Sequence, residues 1–201
     1  ASTVEHPAIT NAVRTLGERA LWLGVDADGV VTADALATLD ASVSVASVLW
    51  VNNETGAIQP VPAVVDAARR AGALAHSDGV QALGHVPVSF PASGLDALSL
   101  SAHKVGGPVG IGALVVRRGV RLAPIGHGGG QEARLRSGTV PVALASGFAA
   151  AAADAVAELA SEAPRLAALR GRVADAMQGL GRVNEAPAVS PAIVNVTFAG
   201  C

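Results

Sequence analysis

The chain has a single cysteine, Cys201, and it is the last residue. That excludes an internal disulfide framework and a cysteine-rich metal site, and it fits a reducing compartment. Charge of one sign is equally scarce. Fourteen basic and 16 acidic residues leave a net charge of −2 with no block of like charge, so neither a nucleic-acid groove nor an anionic membrane surface is expected. No apolar run reaches about 18 residues without a charge or a turn former, and no basic-then-apolar leader opens the chain. These absences read as a cytoplasmic protein whose partners are small molecules. Lysine is the scarcest charge: Lys104 stands alone among arginines.

What is present is a hydrophobic half, 51% of 201 residues, enough for one sizeable core and the start of a second. There is no initiator Met, a helix signal begins at Pro7, and the chain stops in a strand pattern at "NVTFAGC", so an excerpt of a longer protein is expected. Helical and strand patterns alternate. A helix is expected over 7–20, a strand over 20–25, the turn "DADG", a helix over 32–41, a strand over 43–51 and a helix over 61–72. Strands follow near 73–77 and 95–101. These strands are nearly continuous apolar runs, the pattern of a sheet covered on both faces by helices. The next one, 111–118, starts too soon after "SAH" for a parallel crossover and is expected antiparallel. Beyond 140, two Ala-rich helices separated by "SEAP" (161–164) lead to a strand over 191–198. The fold expected is α/β, a mixed, mostly parallel sheet flanked by helices. Residues 1–157 would form the large domain and 158–201 the beginning of a smaller α+β domain.

A chain that uses arginine elsewhere and keeps one lysine points to a need guanidinium cannot meet, an amine that loses its proton and attacks a carbonyl. Lys104 follows an apolar strand, in a loop with Gly106, Gly107, Pro108, Gly110 and Gly112, where backbone could approach a ligand. Ligands of open α/β sheets sit at the carboxyl ends of strands. Asp78 ends another strand, with Gln81 three residues on and on the same face if a helix begins there. Alone, Asp78 would pass for a helix N-cap. Combined with a nucleophilic lysine, a carboxylate facing a heteroaromatic ring nitrogen describes a pyridoxal phosphate site.

The segments "VNNETGAIQPV" (51–61), "HSDGVQALG" (76–84), "SLSAHKVGGPVGIGAL" (99–114) and "GHGGGQEARLRSGTVPV" (126–142) together resemble the cysteine desulfurases, in the class V branch of fold-type I pyridoxal-phosphate enzymes. The resemblance implies the cofactor pyridoxal 5'-phosphate, with Lys104 as the Schiff-base lysine that later moves protons at the substrate α-carbon. It implies Asp78 at the ring nitrogen, Gln81 and Asn53 beside the phenolic oxygen, and His6 stacked on the ring as a candidate acid/base. Ser101 and His103 match phosphate ligands, and Thr139 matches a phosphate contact supplied by the neighbouring subunit, implying a homodimer with shared sites. The implied reaction takes L-cysteine to L-alanine, with sulfur passed as an enzyme persulfide to a sulfur-acceptor or scaffold protein of iron–sulfur cluster or thio-cofactor assembly. Cys201 does not match the family's catalytic cysteine and reads as a strand-end residue. That cysteine, the substrate-carboxylate arginine and the "TGxTE"-like phosphate segment are expected outside this chain. Val109 replaces the lysine of "GPKG", a minor loop change. Other class V activities, a selenocysteine lyase or an aminotransferase, and a non-catalytic dimeric scaffold are the alternatives. His76, His85 and His127 lack metal-ligand spacing, and no metal is expected.

Overall fold

The structure, a computed structural model, describes residues 1–200; Cys201 and the strand-end reading made of it lie outside the described residues. In chain order the elements are α1 (Pro7–Arg14), α2 (Ala33–Ala37), β1 (Val45–Ser47), α3 (Val61–Ala71), β2 (Leu74–Asp78), α4 (Phe90–Ser93), β3 (Ala97–Ser101), β4 (Gly112–Val116), α5 (Val142–Ala176), β5 (Arg182–Asn184) and β6 (Asn195–Thr197). The main sheet has the order β1-β2-β3-β4. β1, β2 and β3 run parallel, and β4 returns antiparallel to β3, from Ser101 opposite Gly112 to Ala97 opposite Val116. The turn between them is short, and an antiparallel return is what a short turn permits.

The β-branched and small residues explain why α3 covers one face of this sheet. Its prolines sit in the first turn, its buried stripe contains Val61, Val64, Val65 and Ala68, and Gly72 ends it in the left-handed conformation at φ 75°. Val61, Val65 and Ala68 pack on Ala46, Ala75, Leu95 and Leu98, where two alanines on the strands let the helix sit close. Each valine so buried contributes about 1.5–3 kcal/mol.

Pleating turns the alternate residues to the other face: Ser47, His76, Asp78, Ser99 and Ser101. This face is less buried than the one under α3 and carries more of the polar side chains. Val45, Leu74 and Ala97 share this face with them, so both faces carry apolar side chains and this one intersperses serine and histidine.

Three expectations change. The helix over 7–20 ends at Arg14, followed by a 3-10 turn over Gly17–Arg19, because Gly17 takes φ +58° and breaks the spiral. Residues 20–25 form no strand and make only single bridges, Ser2 with Leu23 and Val25 with Val31. The turn "DADG" is present, closed by Asp26 Oδ1 accepting from Asp28 N and Val30 N. Finally, "SEAP" does not separate two helices. α5 runs unbroken for 35 residues with Pro164 inside it. Proline has a helical φ, and what it removes is one hydrogen bond to the carbonyl four residues back. Pro164 and Ala160 are both exposed, so water can take that carbonyl.

By length and composition α5 could cross a membrane, with an 18-residue window of mean hydropathy 1.5. The hydropathy comes mainly from alanine, and the helix carries Asp154, Glu158 and Glu162 along one side of a cleft. Its first turns pack instead on protein: Phe148 is buried, and Gly147 sits so near Pro108 that an added methyl would lie 3.3 Å from the proline ring.

β5 and β6 pair as a separate antiparallel hairpin. Arg170 of α5 holds this region through Nε to Ile193 O (2.9 Å) and an ion pair with Glu185 (2.9 Å). The loop after β1 holds it too. Ile58 N donates to Ala188 O, Ser190 N donates to Gly56 O, and Asn195 Nδ2 donates to Glu54 O. Gly56 has φ +77°, with Val189 and Ile193 side chains 3.1 Å from where a Cβ would stand, so no other residue fits there without displacement.

Candidate active site

Asp78 is the last residue of β2 and pairs with Ser99 of β3. Its Oδ1 accepts from Val80 N at 2.9 Å, an Asx turn that leads the chain out of the strand. Gln81 follows in that turn, where Leu83 N donates to Gly79 O, and no continuous helix begins. Gly79 has no room for a side chain, since a Cβ would stand 2.7 Å from Leu98 Cδ1.

One strand over, β3 ends at Ser101 and passes into a 3-10 turn over Ala102–Val105. Ser101 Oγ and His103 Nδ1 are 2.7 Å apart. Lys104 is exposed at this turn. Gly106 closes the turn at φ +79°, and Gly107 N donates to Ala102 O. Lys104 also borders a cleft of about 490 Å³ with Gly84, His85, Val105 and the α5 side chains Asp154 and Glu158. Asp78, Gln81, His6 and Asn53 do not line that cleft.

The third group comes from the opening segment. His6 caps α1, its Nδ1 accepting from Ala8 N at 3.1 Å, so the ring hydrogen of the neutral form sits on Nε2. The two residues before it anchor the segment to the end of β1: Glu5 Oε1 accepts from Leu49 N at 2.8 Å, and Asn52 Nδ2 donates to Val4 O at 3.0 Å. Asn53 is the next residue, half-buried at the head of a turn in which Asn52 Oδ1 accepts from Glu54 N and Thr55 N. His6, Asn53, Asp78, Ser101, His103 and Lys104 therefore all stand at the carboxyl ends of β1, β2 and β3 or on segments tied to them. Thr139 makes no hydrogen bond to these residues. It lies exposed in the loop after β4, where Ser137 Oγ donates to His127 O and Gly138 N donates to Gln131 Oε1.

Two further groups shape the electrostatics. His76, half-buried on the same face as Asp78, bridges two hydroxyls: Nδ1 is 2.8 Å from Ser47 Oγ and Nε2 is 2.9 Å from Ser99 Oγ. Burial holds its pKa below the usual imidazole value, with Asp78 opposing, so the ring is neutral. Glu5 is 7% exposed, and its carboxyl is pushed up to about 7. Burial is the main cause and the neighbouring Asp78 adds to it, against the bonds from Ser2 Oγ (2.6 Å) and Leu49 N. Glu5 escapes notice in the sequence, since an acid ahead of a histidine at a helix start is ordinary; its only signal is the adjacency to His6. His85, set aside in the sequence, keeps a buried Nδ1 without a partner, and among the described residues no three His, Cys, Asp or Glu side chains converge as a metal site.

The chain resembles known proteins over most of its length. The chain is 45% identical over 179 residues to an IscS-like cysteine desulfurase of Mycobacterium tuberculosis, covering 86% of this chain and 46% of that protein. It is 38% identical over 205 residues to a mitochondrial cysteine desulfurase of Drosophila melanogaster, covering 97% of this chain and 44% of that one. The chain thus spans about half the length of the curated relatives it matches. Among solved structures, a NifS-like protein superposes with a TM-score of 0.92 at 35% identity, over 98% of this chain and 56% of that one. DndA from Streptomyces lividans superposes with a TM-score of 0.87 at 34% identity, over 98% and 58%. The sequence profile of the family "Aminotransferase class-V" matches residues 1–201 throughout, and the chain belongs to that family.

Proposed function

We propose that this chain is the cofactor-binding part of a pyridoxal 5'-phosphate-dependent cysteine desulfurase. The overall reaction would take L-cysteine to L-alanine, with the sulfur received by a cysteine of the whole enzyme and handed to an acceptor or scaffold protein of iron–sulfur cluster or thio-cofactor assembly. One observation carries the reading. The only lysine stands in the turn that ends β3, and a carboxylate, Asp78, ends the neighbouring β2.

The donor set fits the cofactor. Lys104 offers an exposed primary amine, and Asp78 has no cationic side chain paired to it among the described residues. Ser101 and His103 offer a linked hydroxyl and imidazole. When bound, pyridoxal phosphate supplies an electron sink that stabilises negative charge at the substrate α-carbon.

The chain's own residues do the rest. Lys104 Nζ attaches the cofactor and then carries the proton to and from the α-carbon, a task open to an amine and closed to guanidinium. Asp78 holds a proton on the ring nitrogen through Oδ2, since Oδ1 is engaged by Val80 N. Gln81 and Asn53 orient the phenolic oxygen, and Ser101 with His103 binds the phosphate. His6 stacks on the ring, and its Nε2 is the atom that holds or moves a proton.

Thr139, exposed in the loop after β4, contributes to the partner subunit's phosphate site, which makes the protein a homodimer with shared sites. Residues 1–157 form the large domain and 158–201 open the small one, with the boundary inside α5 and the β5–β6 hairpin beyond it. The enzyme works in the cytoplasm.

Sodium borohydride reduction of the cofactor-saturated protein, followed by peptide mass spectrometry, tests the reading. A pyridoxyl group on Lys104 is expected. A folded, saturated protein without that adduct would overturn it.

A further inference from the structure

Glu5 has a place in the fold that the roles above leave unused. Its Oε1 takes two hydrogen bonds, from Ser2 Oγ and Leu49 N, while its Oε2 is shut off from solvent with no partner. The bond to Leu49 crosses 44 residues of sequence and fixes the residue preceding His6 on the last turn of chain before the Asn52–Asn53 loop. A buried carboxylate with a bare oxygen is costly, whereas a carboxylic acid with its hydrogen on the bare oxygen is much less so. We propose that Glu5 is a positioning residue for the ring-binding end of the site: it clamps the His6 segment to the end of β1, and its charge follows the presence of a cationic partner at Asp78.

The inference rests on the pyridoxal phosphate reading. The titratable side chain facing Glu5 is Asp78, from the end of β2; Leu49 and Ser2, which bond to it, carry none. His76 sits beyond Asp78 on the same face and is neutral. With Asp78 unpaired, its half-buried carboxylate repels the buried Glu5, and Glu5 keeps its proton to about pH 7. A protonated ring nitrogen at Asp78 cancels that repulsion and adds attraction, so Glu5 ionises more easily when the cofactor is bound. By linkage, binding then releases a proton from Glu5, and affinity rises with pH through the neutral range. A clamp with no electrical role would not do this.

The test measures the affinity of the apoprotein for pyridoxal 5'-phosphate from pH 6 to 8 for wild type, Glu5→Gln and Glu5→Ala. Glutamine keeps an acceptor for Ser2 and Leu49 but cannot ionise. The wild-type to Glu5→Gln affinity ratio cancels the titrations of the cofactor and of Lys104, which both proteins share. It is expected to rise several-fold between pH 6 and pH 8. Glu5→Ala should bind more weakly than Glu5→Gln at every pH, because His6 loses its anchor. A flat ratio, or equal binding by the Gln and Ala variants, would overturn the inference. If wild type forms no borohydride-reducible adduct at Lys104, the pyridoxal phosphate reading falls and the inference with it; an adduct with a flat ratio removes the inference alone.

Discussion

His76 and Ser99 meet across two parallel strands with 2.9 Å between ring Nε2 and hydroxyl, and Ser47 meets the other ring nitrogen at 2.8 Å from the far side. Three strands are thus stitched by one imidazole just below Asp78. Its folded pKa is depressed, so the unfolded chain binds more protons as pH falls below the ordinary value of 6.5. The stabilising contribution of the neutral ring is complete above that value and declines below it, toward the depressed folded value. Urea midpoints measured at pH 7.5 and 5.5 should fall more for wild type than for His76→Gln, whose side chain cannot take a proton. Equal falls would mean that the ring takes up its proton as readily in the folded protein as in the unfolded chain. His76→Ala should cost about 1–3 kcal/mol at pH 7.5, since it strands two hydroxyls.

Asp78→Asn separates two tasks. Asparagine retains an oxygen for Val80 N, so the turn should survive. If Asp78 faces the ring nitrogen as proposed, the charge there is lost, and a lost charge-assisted bond of about 1.5–3 kcal/mol predicts a turnover drop of tenfold or more with the cofactor still bound. Normal turnover in this variant would make Asp78 a turn former only.

Thr139 poses a question of geometry across subunits. Mixed dimers of Lys104→Ala and Thr139→Ala should contain one site with both residues intact if Thr139 serves its neighbour. Cofactor retention and turnover in the mixture should then exceed those of either variant alone. No recovery would place Thr139 in its own subunit's site.

Pro164 interrupts α5 without ending it. Proline inside a helix costs about 3 kcal/mol relative to alanine, so Pro164→Ala should stabilise the protein to chemical denaturation, by about 1–3 kcal/mol. No gain would show that the exposed Ala160 carbonyl is equally well served by water.

The sheet was legible in the residues because two signals agreed. The segments at 74–78 and 97–101 are short runs bounded by turn formers and end in polar residues, and the short gap after Ser101 allowed only an antiparallel return. The carboxyl-end cluster followed from the strands, since Asp78 and Ser101 are their last residues. Less legible were features decided by tertiary context. Residues 20–25 look like a strand but find only isolated bridge partners, at Leu23 and Val25. "SEAP" looks like a helix end, yet alanines on both sides carry the helix through. Glu5 was invisible because its burial depends on Leu49, 44 residues away, and no local pattern encodes that meeting. Likewise the two-faced sheet hid in its own alternation, with Ser47, His76 and Ser99 each read as part of an apolar run.

The loop over residues 52–58 was introduced as a holder of the β5–β6 hairpin and again as the neighbour of His6. It is the same strap at both ends. Asn52 grips Val4 while Gly56 and Ile58 grip Ser190 and Ala188, and Arg170 fastens that region to α5. The hairpin and the segment that carries His6 are therefore fastened to one short stretch of chain, braced at residues 52, 54, 56 and 58.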